Sequence, residues 1–299
     1  MKFDYLLHRI IERMLESPFF YLVPDEFYLK IKFFVKMGRR LNLNHPVTFN
    51  EKLQWLKLYD RKESYSTLVD KIAVKQFAVS IMGRDAVLAT LDTWTDADKL
   101  DFRKLPDSFV LKCNHDSGST IICKNKNDVD LSLIKKKLHK SLKKNYFYSG
   151  REYPYKKIQP MIFAEDIILS DTSVDDYKVF CFEGIPKFII RYSDAVDHKR
   201  AMDFYDTSWN RLNIRKPGHP TGSDVEAPKC LGKMIEYSKQ FSYGFHFLRV
   251  DFVYANNQLL FGELTLFPSS GFNSFEPSKY DETFGSWIKL EDNINDLVK

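Results

Sequence analysis

The sequence predicts an α+β fold, in which helices and antiparallel strands occupy largely separate stretches of the chain. Three observations support this class. Apolar side chains recur at helical spacing up to about residue 66, and short apolar runs bounded by turn residues begin near residue 86. Several successive runs are joined by connections too short to hold a helix, as in hairpins. These features favour hairpin-linked strands over a doubly wound parallel sheet.

The composition is that of an ordinary soluble globular protein, with 44% hydrophobic and 28% charged residues among 299. This length allows one large domain or two to three small ones. The net charge of +5 fits an anionic ligand, and the sequence contains no nucleic-acid-binding motif, so nucleic acid is not an expected partner. The four cysteines form no C-x-x-C pair, which argues against a zinc ribbon or disulfide framework and favours a reducing, cytoplasmic location.

The N-terminal region is predicted to be helical. Residues 6–15 carry aliphatic side chains at helical spacing, and the interspersed charges exclude a signal peptide or membrane span. A helix packed on the protein body is favoured. The basic and aromatic segment Tyr28–Arg40 leaves open a weak association with a membrane surface, peripheral to the inner membrane face. A clearer helix follows up to Arg61, with Thr48 or Asn50 as its cap.

Beyond this region, further helices and strands alternate. One helix is predicted over Thr67–Gly83, because Gly83 is a natural C-terminal residue. A strongly basic amphipathic helix is predicted from Asp130, another helix over Cys230–Phe241, and a short one within Ser274–Leu290. The predicted strands cover residues 108–115, 119–125, 160–168, 176–184 and 185–193, and both arms of a hairpin around Asn256-Asn257.

A lysine and a polar loop form the first candidate for phosphate binding. Lys112 lies on a predicted strand that leads into Ser117, Gly118, Ser119 and Thr120. An ammonium group can neutralise phosphate oxygens while loop N–H groups and hydroxyls donate hydrogen bonds. The spacing is not that of a Walker A loop. Alone, such a lysine is more often an edge residue whose amine extends into solvent.

Two acids in the hairpin form a candidate metal site. Asp251 and Glu263 interrupt otherwise apolar arms, and buried carboxylates are costly unless they are paired or bind a metal. Carboxylate oxygens suit Mg²⁺, which commonly arrives with nucleotide phosphates. Arg249 shares the strand face of Asp251 and could stabilise charge on a transferring phosphoryl group. A cross-strand ion pair between Arg249 and Glu263 is the alternative interpretation.

The two acids can share a site only if they lie on one face of the hairpin. A regular two-residue Asn256-Asn257 loop would pair Asp251 with Gly262 and turn Glu263 to the opposite face. A three-residue loop, or one bulge, would pair Asp251 with Glu263 directly. We therefore predict that the turn is not of the simple two-residue type, and a two-residue turn with no bulge on either arm would leave the shared metal site without an explanation.

The order of these candidate residues resembles the ATP-grasp superfamily. The end of the pattern, from Arg249-x-Asp251 through Glu263 to a Pro-Ser-Ser-Gly turn, is similar to the metal-binding end of D-alanine–D-alanine ligases. Thr265 stands where those ligases place a metal-binding Asn. More specifically, several segments look like the TupA-like branch, named for teichuronopeptide biosynthesis and associated with bacterial surface-polysaccharide genes. These segments are Thr48–Arg61, Asp70–Val79, Asp176–Gly184 and Arg249–Phe272.

The resemblance implies an ATP-grasp fold, in which two α+β subdomains grip ATP, together with ATP and Mg²⁺ as cofactors. The implied subdomains span residues 107–165 and 166–299, preceded by a helical region over 1–66 and a connecting segment over 67–106. The implied phosphate ligands are Lys71, Lys112, Lys178, Ser117, Gly118, Ser119 and Thr120. The implied adenine and ribose ligands are Glu165, Asp166 and Asp176. The implied metal ligands are Asp251, Glu263 and Thr265, and the implied catalytic residues are Arg249, Lys112 and Lys178.

The function implied by the resemblance is an ATP-dependent ligase that joins a uronic-acid carboxylate to an amino acid or other amine. The basic, tyrosine-containing tract Lys135–Lys157 suits an acidic saccharide, although a solvated helix explains it equally well. Two other functions stay open at this stage. One is a glycosyltransferase, for which Asp96-Ala97-Asp98 is the nearest D-x-D motif, more typical here of a helix cap. The other is a carbohydrate-binding protein with a vestigial ATP site.

Overall fold

The structure, a computed structural model, describes residues 11, 14–15, 17–168, 174–196 and 199–290. Its α-helices are α1 (Asp25–Met37), α2 (Phe49–Tyr59), α3 (Tyr65–Val69), α4 (Val74–Met82), α5 (Leu131–Leu142), α6 (Phe147–Gly150), α7 (Leu231–Ser242) and α8 (Lys279–Ser286). Short 3-10 turns occupy Pro18–Leu22, Arg84–Ala86, Ala97–Lys99, Phe102–Lys104, Tyr153–Tyr155 and Pro268–Gly271.

The strands form two antiparallel sheets. They are β1 (Thr90–Trp94), β2 (Phe109–Cys113), β3 (Ile121–Cys123), β4 (Ile162–Glu165), β5 (Asp175–Phe182), β6 (Ile185–Val196), β7 (Lys199–Asp206), β8 (Phe247–Ala255) and β9 (Gln258–Thr265). The small sheet has the order β1-β4-β2-β3, and the large sheet has the order β7-β6-β5-β8-β9. The predicted α+β class is therefore confirmed.

Each sheet has its own hydrophobic core. In the small core, Ile134 and Leu138 of α5 pack on Phe109 and Trp94 of the sheet. Strand β1 belongs to this unit, although it falls within the range 67–106 that the sequence assigns to a connecting segment. The larger core joins the N-terminal helices to the large sheet, with Phe49 contacting the rings of three sheet or C-terminal residues, Phe182, Phe247 and Phe284. Burial of these apolar surfaces is the dominant stabilising term.

Helix α2 begins with the predicted threonine cap. The Thr48 hydroxyl accepts a hydrogen bond from the Glu51 N–H at 3.3 Å, and the Glu51 carboxylate accepts one from the Thr48 N–H at 3.0 Å. This reciprocal capping box satisfies two N–H groups that the helix start leaves unpaired. Of the two alternatives, Thr48 is the cap.

The single helix predicted over Thr67–Gly83 is wrong, because the chain breaks it into α3 and α4. Asp70 has extended backbone angles, and its carboxylate accepts hydrogen bonds from the N–H groups of Ile72 at 2.8 Å and Ala73 at 3.1 Å. An aspartate that caps locally in this way ends one helix and starts the next. The break turns Lys71 toward the small sheet, where its N–H donates to the Asn114 carbonyl at 3.1 Å. The predicted end at Gly83 is confirmed.

The β8–β9 hairpin contains the predicted bulge. Its turn is a two-residue Asn256-Asn257 turn with positive φ at both residues, yet Asp251 pairs with Glu263. The register shifts between Asp251 and Phe252, because Gly262 is an extra residue opposite them. The prediction that the acids face each other is therefore confirmed. The prediction that the turn is not of the simple two-residue type is wrong, because the bulge produces this register and the turn keeps its two-residue form.

Gly262 is expected to tolerate no side chain. A Cβ at this position would lie 2.8 Å from the Asp251 carbonyl oxygen, so Gly262→Ala must displace the strand that carries Asp251. We expect this change to lower the free energy of unfolding by about 1–3 kcal/mol, measured by urea denaturation. Gly232→Ala, in α7 with no heavy atom within 4 Å of the added Cβ, is the matched control and should not destabilise the protein. Equal stability of the two variants would contradict the tight contact.

The predicted helix over residues 6–15 lies mostly outside the described residues. The following helix, α1, exposes Phe27 and Phe34 near the basic side chains Lys30 and Arg40. Among the described residues, no helix is both long and apolar enough to cross a bilayer. Association of this surface with a membrane stays a prediction, which sedimentation with anionic lipid vesicles would check.

Candidate active site

A cleft of about 250 Å³ opens between the two sheets. The small-sheet side contributes the strand ends of β2 and β4 with the loop that follows β2, and the large-sheet side contributes β5, β8 and β9. Strongly polar side chains line both walls. The cationic ones are Lys71, Lys75, Lys112 and Lys178, and the anionic ones are Asp116, Glu165, Asp176, Asp251 and Glu263.

On the small-sheet wall, one buried carboxylate holds two lysines. Glu165 accepts a hydrogen bond from the Lys75 ammonium at 3.0 Å on one oxygen, and pairs with Lys112 through the other. Burial alone would raise the pKa of Glu165, but the charges of Lys112 and Lys75 outweigh it and lower the pKa. Burial lowers the pKa of Lys75, although Glu165 acts in the opposite direction. Two ammonium groups are thus fixed side by side at the cleft.

The loop after β2 is held in shape by its own side chains. The buried Ser119 hydroxyl donates to the Asp116 carboxylate at 2.6 Å and accepts from the Cys113 N–H at 2.8 Å. Gly118 has a φ of +100°, a conformation that favours glycine, and the space around it is open. The Lys71 ammonium donates to the Asp116 carbonyl, so this lysine is tied to the loop.

On the large-sheet wall, Asp251 is the centre of an ion-pair cluster. Arg249 donates to both oxygens of Asp251, at 2.6 and 2.7 Å, and Lys178 of the neighbouring strand β5 pairs with the same carboxylate. Arg249 also contacts Glu263 at 3.1 Å, so the cross-strand ion pair that was the alternative interpretation of the sequence is also present. Asp251 and Arg249 are largely buried, whereas the side chain of Glu263 is 41% exposed.

This cluster keeps Asp251 ionised. Burial would raise its pKa, but Arg249 and Lys178 outweigh burial and hold the pKa below its ordinary value. Burial alone would lower the pKa of Arg249, but Asp251 and Glu263 raise it. A buried carboxylate with two cationic partners is well satisfied, which removes the cost of burying it alone.

The donor set on this wall fits a divalent cation. Asp251 and Glu263 are direct cross-strand partners, and the Thr265 hydroxyl lies 3.5 Å from the Glu263 carboxylate. Carboxylate and hydroxyl oxygens are the ligands that Mg²⁺ prefers. In this structure Lys178 and Arg249 use the Asp251 oxygens, so a metal there would share that carboxylate with them.

The structure brings most of the predicted site residues together around the cleft. Those that line it are Lys71, Lys112, Ser117, Gly118, Ser119, Thr120, Glu165, Asp176, Lys178, Asp251 and Glu263. Arg249 contacts the lining acids directly, and Thr265 lies two residues after Glu263, on the same strand face. Asp166, the residue after the end of β4, is exposed and does not line the cleft.

Six lining residues were missed from the sequence, namely Lys75, Asp116, Phe163, Phe252, Val253 and Gly262. Lys75 lies four residues after Lys71, a spacing that would have placed both lysines on one face of the continuous helix predicted over Thr67–Gly83. Phe163 stands opposite Lys112 in the small sheet, and the Lys75 ammonium lies 5.0 Å from its ring centroid. An aromatic residue in an apolar strand carries no local sign that it faces a cleft.

Two other motifs from the sequence lie elsewhere. Asp96 caps the turn Ala97–Lys99 by accepting from the Asp98 N–H at 2.9 Å, which confirms the helix-cap interpretation. In the basic tract, Lys136, Lys140 and Lys143 are exposed and none of them lines the cleft. Their predicted contact with an acidic saccharide stays a prediction.

The sequence from residue 51 to 289 matches the model of the TupA-like ATP-grasp family. That range includes both sheets and every lining residue of the cleft. The chain belongs to the TupA-like ATP-grasp family. This membership confirms the resemblance seen in the sequence and assigns the two-sheet architecture to the ATP-grasp fold. Among curated proteins, none matches the sequence.

Several solved ligase structures are similar to this TupA-like chain at low identity. An L-amino acid ligase from Bacillus licheniformis shares 12% identity over 86% of this chain and 58% of its own, with a TM-score of 0.46. A D-alanine–D-alanine ligase from Helicobacter pylori shares 15% identity, with 81% and 69% covered and a TM-score of 0.40. The Bacillus anthracis D-alanine–D-alanine ligase complexed with ATP shares 15% identity over 67% of this chain and 54% of its own, with a TM-score of 0.37. The chain thus spans between about half and two thirds of the length of these ligases.

Proposed function

We propose that this protein is an ATP- and Mg²⁺-dependent carboxylate–amine ligase. The observation that supports the proposal best is the composition of the cleft between the two sheets. Asp251 and Glu263 lie on one wall, and the ammonium groups of Lys75 and Lys112, both paired with Glu165, lie on the other. A metal-binding acid pair facing several cations is what a nucleoside triphosphate with its divalent cation requires.

The residues of the small-sheet wall would bind and orient the phosphates. The ammonium groups of Lys71, Lys75 and Lys112 neutralise phosphate oxygens, while the loop around Gly118 offers N–H groups and hydroxyls. Glu165 keeps Lys75 and Lys112 in place, because it pairs with one through each oxygen. Asp176, at the other side of the cleft, is the candidate ribose ligand.

The large-sheet wall would support the transfer itself. A carboxylate oxygen of the acid substrate attacks the γ-phosphorus of ATP, and ADP leaves. The amine then attacks the acyl carbon of the mixed anhydride, phosphate leaves, and the amine loses a proton. Mg²⁺ held by Asp251 and Glu263 would supply electrostatic stabilisation of the phosphoryl charge. Arg249 and Lys178, fixed by Asp251, place two positive charges beside the reacting oxygens.

We propose further that the acid substrate is a uronic acid of a bacterial surface polysaccharide or its precursor, and that the amine is an amino acid or another amine. Membership of the TupA-like family supports this class, since the branch is named for teichuronopeptide biosynthesis. The protein would then form an amide on an acidic saccharide, and its partners would be that saccharide and the amine.

The proposal is tested by incubating the full chain with ATP, Mg²⁺, a uronic acid and a pool of amino acids. We expect ADP and phosphate to form in amounts equal to a product whose mass is that of the acid plus the amine minus water. Release of a nucleoside diphosphate from a nucleotide sugar would instead indicate a glycosyltransferase. Binding of ATP without turnover of any acid and amine would indicate a non-catalytic protein.

A further inference from the structure

A third cation lies near Arg249 and Lys178, beside the turn Pro268–Gly271 that follows β9, the strand that pairs with the one carrying Arg249. Lys216 comes from the connection between β7 and α7, and its ammonium donates to the Ser269 hydroxyl at 3.3 Å. Burial, then the nearby charges of Arg249 and Lys178, lower the pKa of Lys216. The three groups are therefore close enough to repel one another.

Lys216 differs from its two neighbours in its counter-charge. Arg249 and Lys178 both pair with Asp251, and Arg249 also contacts Glu263. Within the described part of the chain, no carboxylate lies within ion-pair distance of Lys216. A half-buried cation that faces two others is unfavourable unless an anion joins the group. The arrangement therefore has a place for one more negative charge.

The hydroxyl that meets Lys216 is held on a strained turn. Ser269 and Ser270 have φ values of 50° and 55°, in the left-handed region that non-glycine residues seldom adopt. The turn is fixed from behind by the buried Lys57, which donates to the Ser270 carbonyl at 2.8 Å and the Ser270 hydroxyl at 2.9 Å. Such strain is retained where the surrounding structure holds the residue in position, commonly at functional sites.

An aromatic ring lies beside these cations. The Lys178 ammonium lies 5.3 Å from the centroid of the Tyr192 ring, and burial raises the pKa of Tyr192 despite the nearby charge of Arg249. Tyrosine rings provide flat apolar surfaces with a polar tip, which suit the face of a sugar ring and its hydroxyls.

We propose that Lys216 and the Ser269 hydroxyl bind the carboxylate of the acid substrate next to Arg249. This assignment rests on the proposed ligase function and adds to it the site at which the acid is held. A carboxylate here supplies the missing negative charge, accepts from the Lys216 ammonium and the Ser269 hydroxyl, and lies beside the cations that face the transferring phosphoryl group. The Tyr192 ring beside Lys178 favours an acid carried on a sugar ring.

The test compares the binding of two sugars to the full chain loaded with Mg²⁺ and a non-hydrolysable ATP analogue. The probes are D-glucuronate and D-glucose, which differ in the carboxylate, and binding is measured by calorimetry. We expect the wild type to prefer D-glucuronate. Lys216→Met should weaken D-glucuronate binding by about tenfold to a hundredfold, since a charge-assisted hydrogen bond is lost. Lys216→Arg should retain most of the binding, and the affinity for the nucleotide analogue should stay within about twofold in both variants.

Lys239→Met removes an exposed lysine from α7 and serves as the control for loss of a positive charge. The proposal is overturned if Lys216→Met binds D-glucuronate as well as the wild type does, or if the wild type loaded with nucleotide does not prefer the acid to the neutral sugar. A variant that loses nucleotide affinity while keeping acid affinity would also overturn it, and would make Lys216 a phosphate ligand. A wild type that fails to bind the nucleotide analogue contradicts the ligase function itself.

Discussion

Replacing Asp251 by Asn is expected to lower the rate of ADP formation by about three orders of magnitude, on the scale of losing a metal ligand that stabilises phosphoryl charge. The change preserves the shape of the side chain and removes its negative charge. Asp251 is the shared partner of Arg249 and Lys178, so the variant loses both the candidate metal ligand and the group that positions two cations. The measurement is ADP release under saturating ATP, with the amide product quantified by mass.

Some loss of stability is expected to accompany this loss of activity, because Arg249 is largely buried and is left with Glu263, a more exposed carboxylate, as its partner. Asp175→Asn is the matched control. Asp175 pairs with Arg191 at 2.8 Å on the same sheet, is similarly buried, and does not line the cleft. If Asp251→Asn turns over ATP at the wild-type rate, Asp251 is not a metal ligand. If both variants lose activity in proportion to their loss of stability, the effect is one of folding.

The pKa of Asp251 also predicts how this site responds to acid. Because its pKa in the folded protein is below the ordinary value of 3.8, Asp251 contributes stability that is present above that value and is lost as the pH falls through the folded pKa. Glu165 behaves in the same way, since its pKa is also lowered, from 4.5. Both carboxylates are therefore ionised across the neutral range, and neither should produce an inflection of activity between pH 6 and 8.

The role of the hairpin acids could be predicted from the sequence because the conflict between their charge and the apolar strands around them is local. An acid within an apolar strand requires a partner, and the need to place Asp251 and Glu263 on one face required a three-residue loop or a bulge, whatever the rest of the fold. The structure has that bulge at Gly262. The helix cap at Thr48 was likewise determined by residues within one turn. Both features have causes within a few residues, although the break at Asp70, whose cause is equally local, was not predicted.

The rest of the site depends on contacts between distant segments. Lys75 faces the cleft because Glu165, 90 residues later, holds it there. Strand β7 was not predicted, and the reason is similar. Its Asp203 is buried, and Arg211 and the N–H of Gly222 both bind its Oδ1 from outside the strand, so a charged residue stands where a local pattern would exclude one. Lys216 lies in a connection with no periodic pattern at all.

Replacing Lys57 by Met is expected to destabilise the protein by about 3–5 kcal/mol, the range found when one partner of a buried charged pair is removed. Lys57 is fully buried, and its ammonium donates to Gln54, to the Gly150 carbonyl and to both oxygens of Ser270, at 2.8–3.0 Å. Burial raises the pKa of Glu152, and Lys57 opposes that rise, so the variant leaves this buried acid without its main compensating charge. Urea denaturation followed by circular dichroism measures the loss.

The same substitution is expected to change how stability depends on pH. Burial lowers the pKa of Lys57 from 10.5 to about 7. Between these values the unfolded chain binds a proton that the folded chain has released, so the Lys57 contribution to stability increases as the pH rises. The difference in unfolding free energy between the wild type and Lys57→Met should therefore grow from pH 7 to pH 9.

A surface lysine provides the comparison for this effect. Lys30→Met removes the same charge from α1, where Lys30 pairs with Glu26 one turn earlier and half of each side chain is exposed. Its cost should be about 0.5 kcal/mol or less and should not change with pH over this range. Two outcomes would contradict the role of Lys57 as the buried titrating group that holds the Ser269-Ser270 turn. The Lys57 variant could be as stable as the Lys30 variant, or its loss of unfolding free energy relative to the wild type could be the same at pH 7 and pH 9.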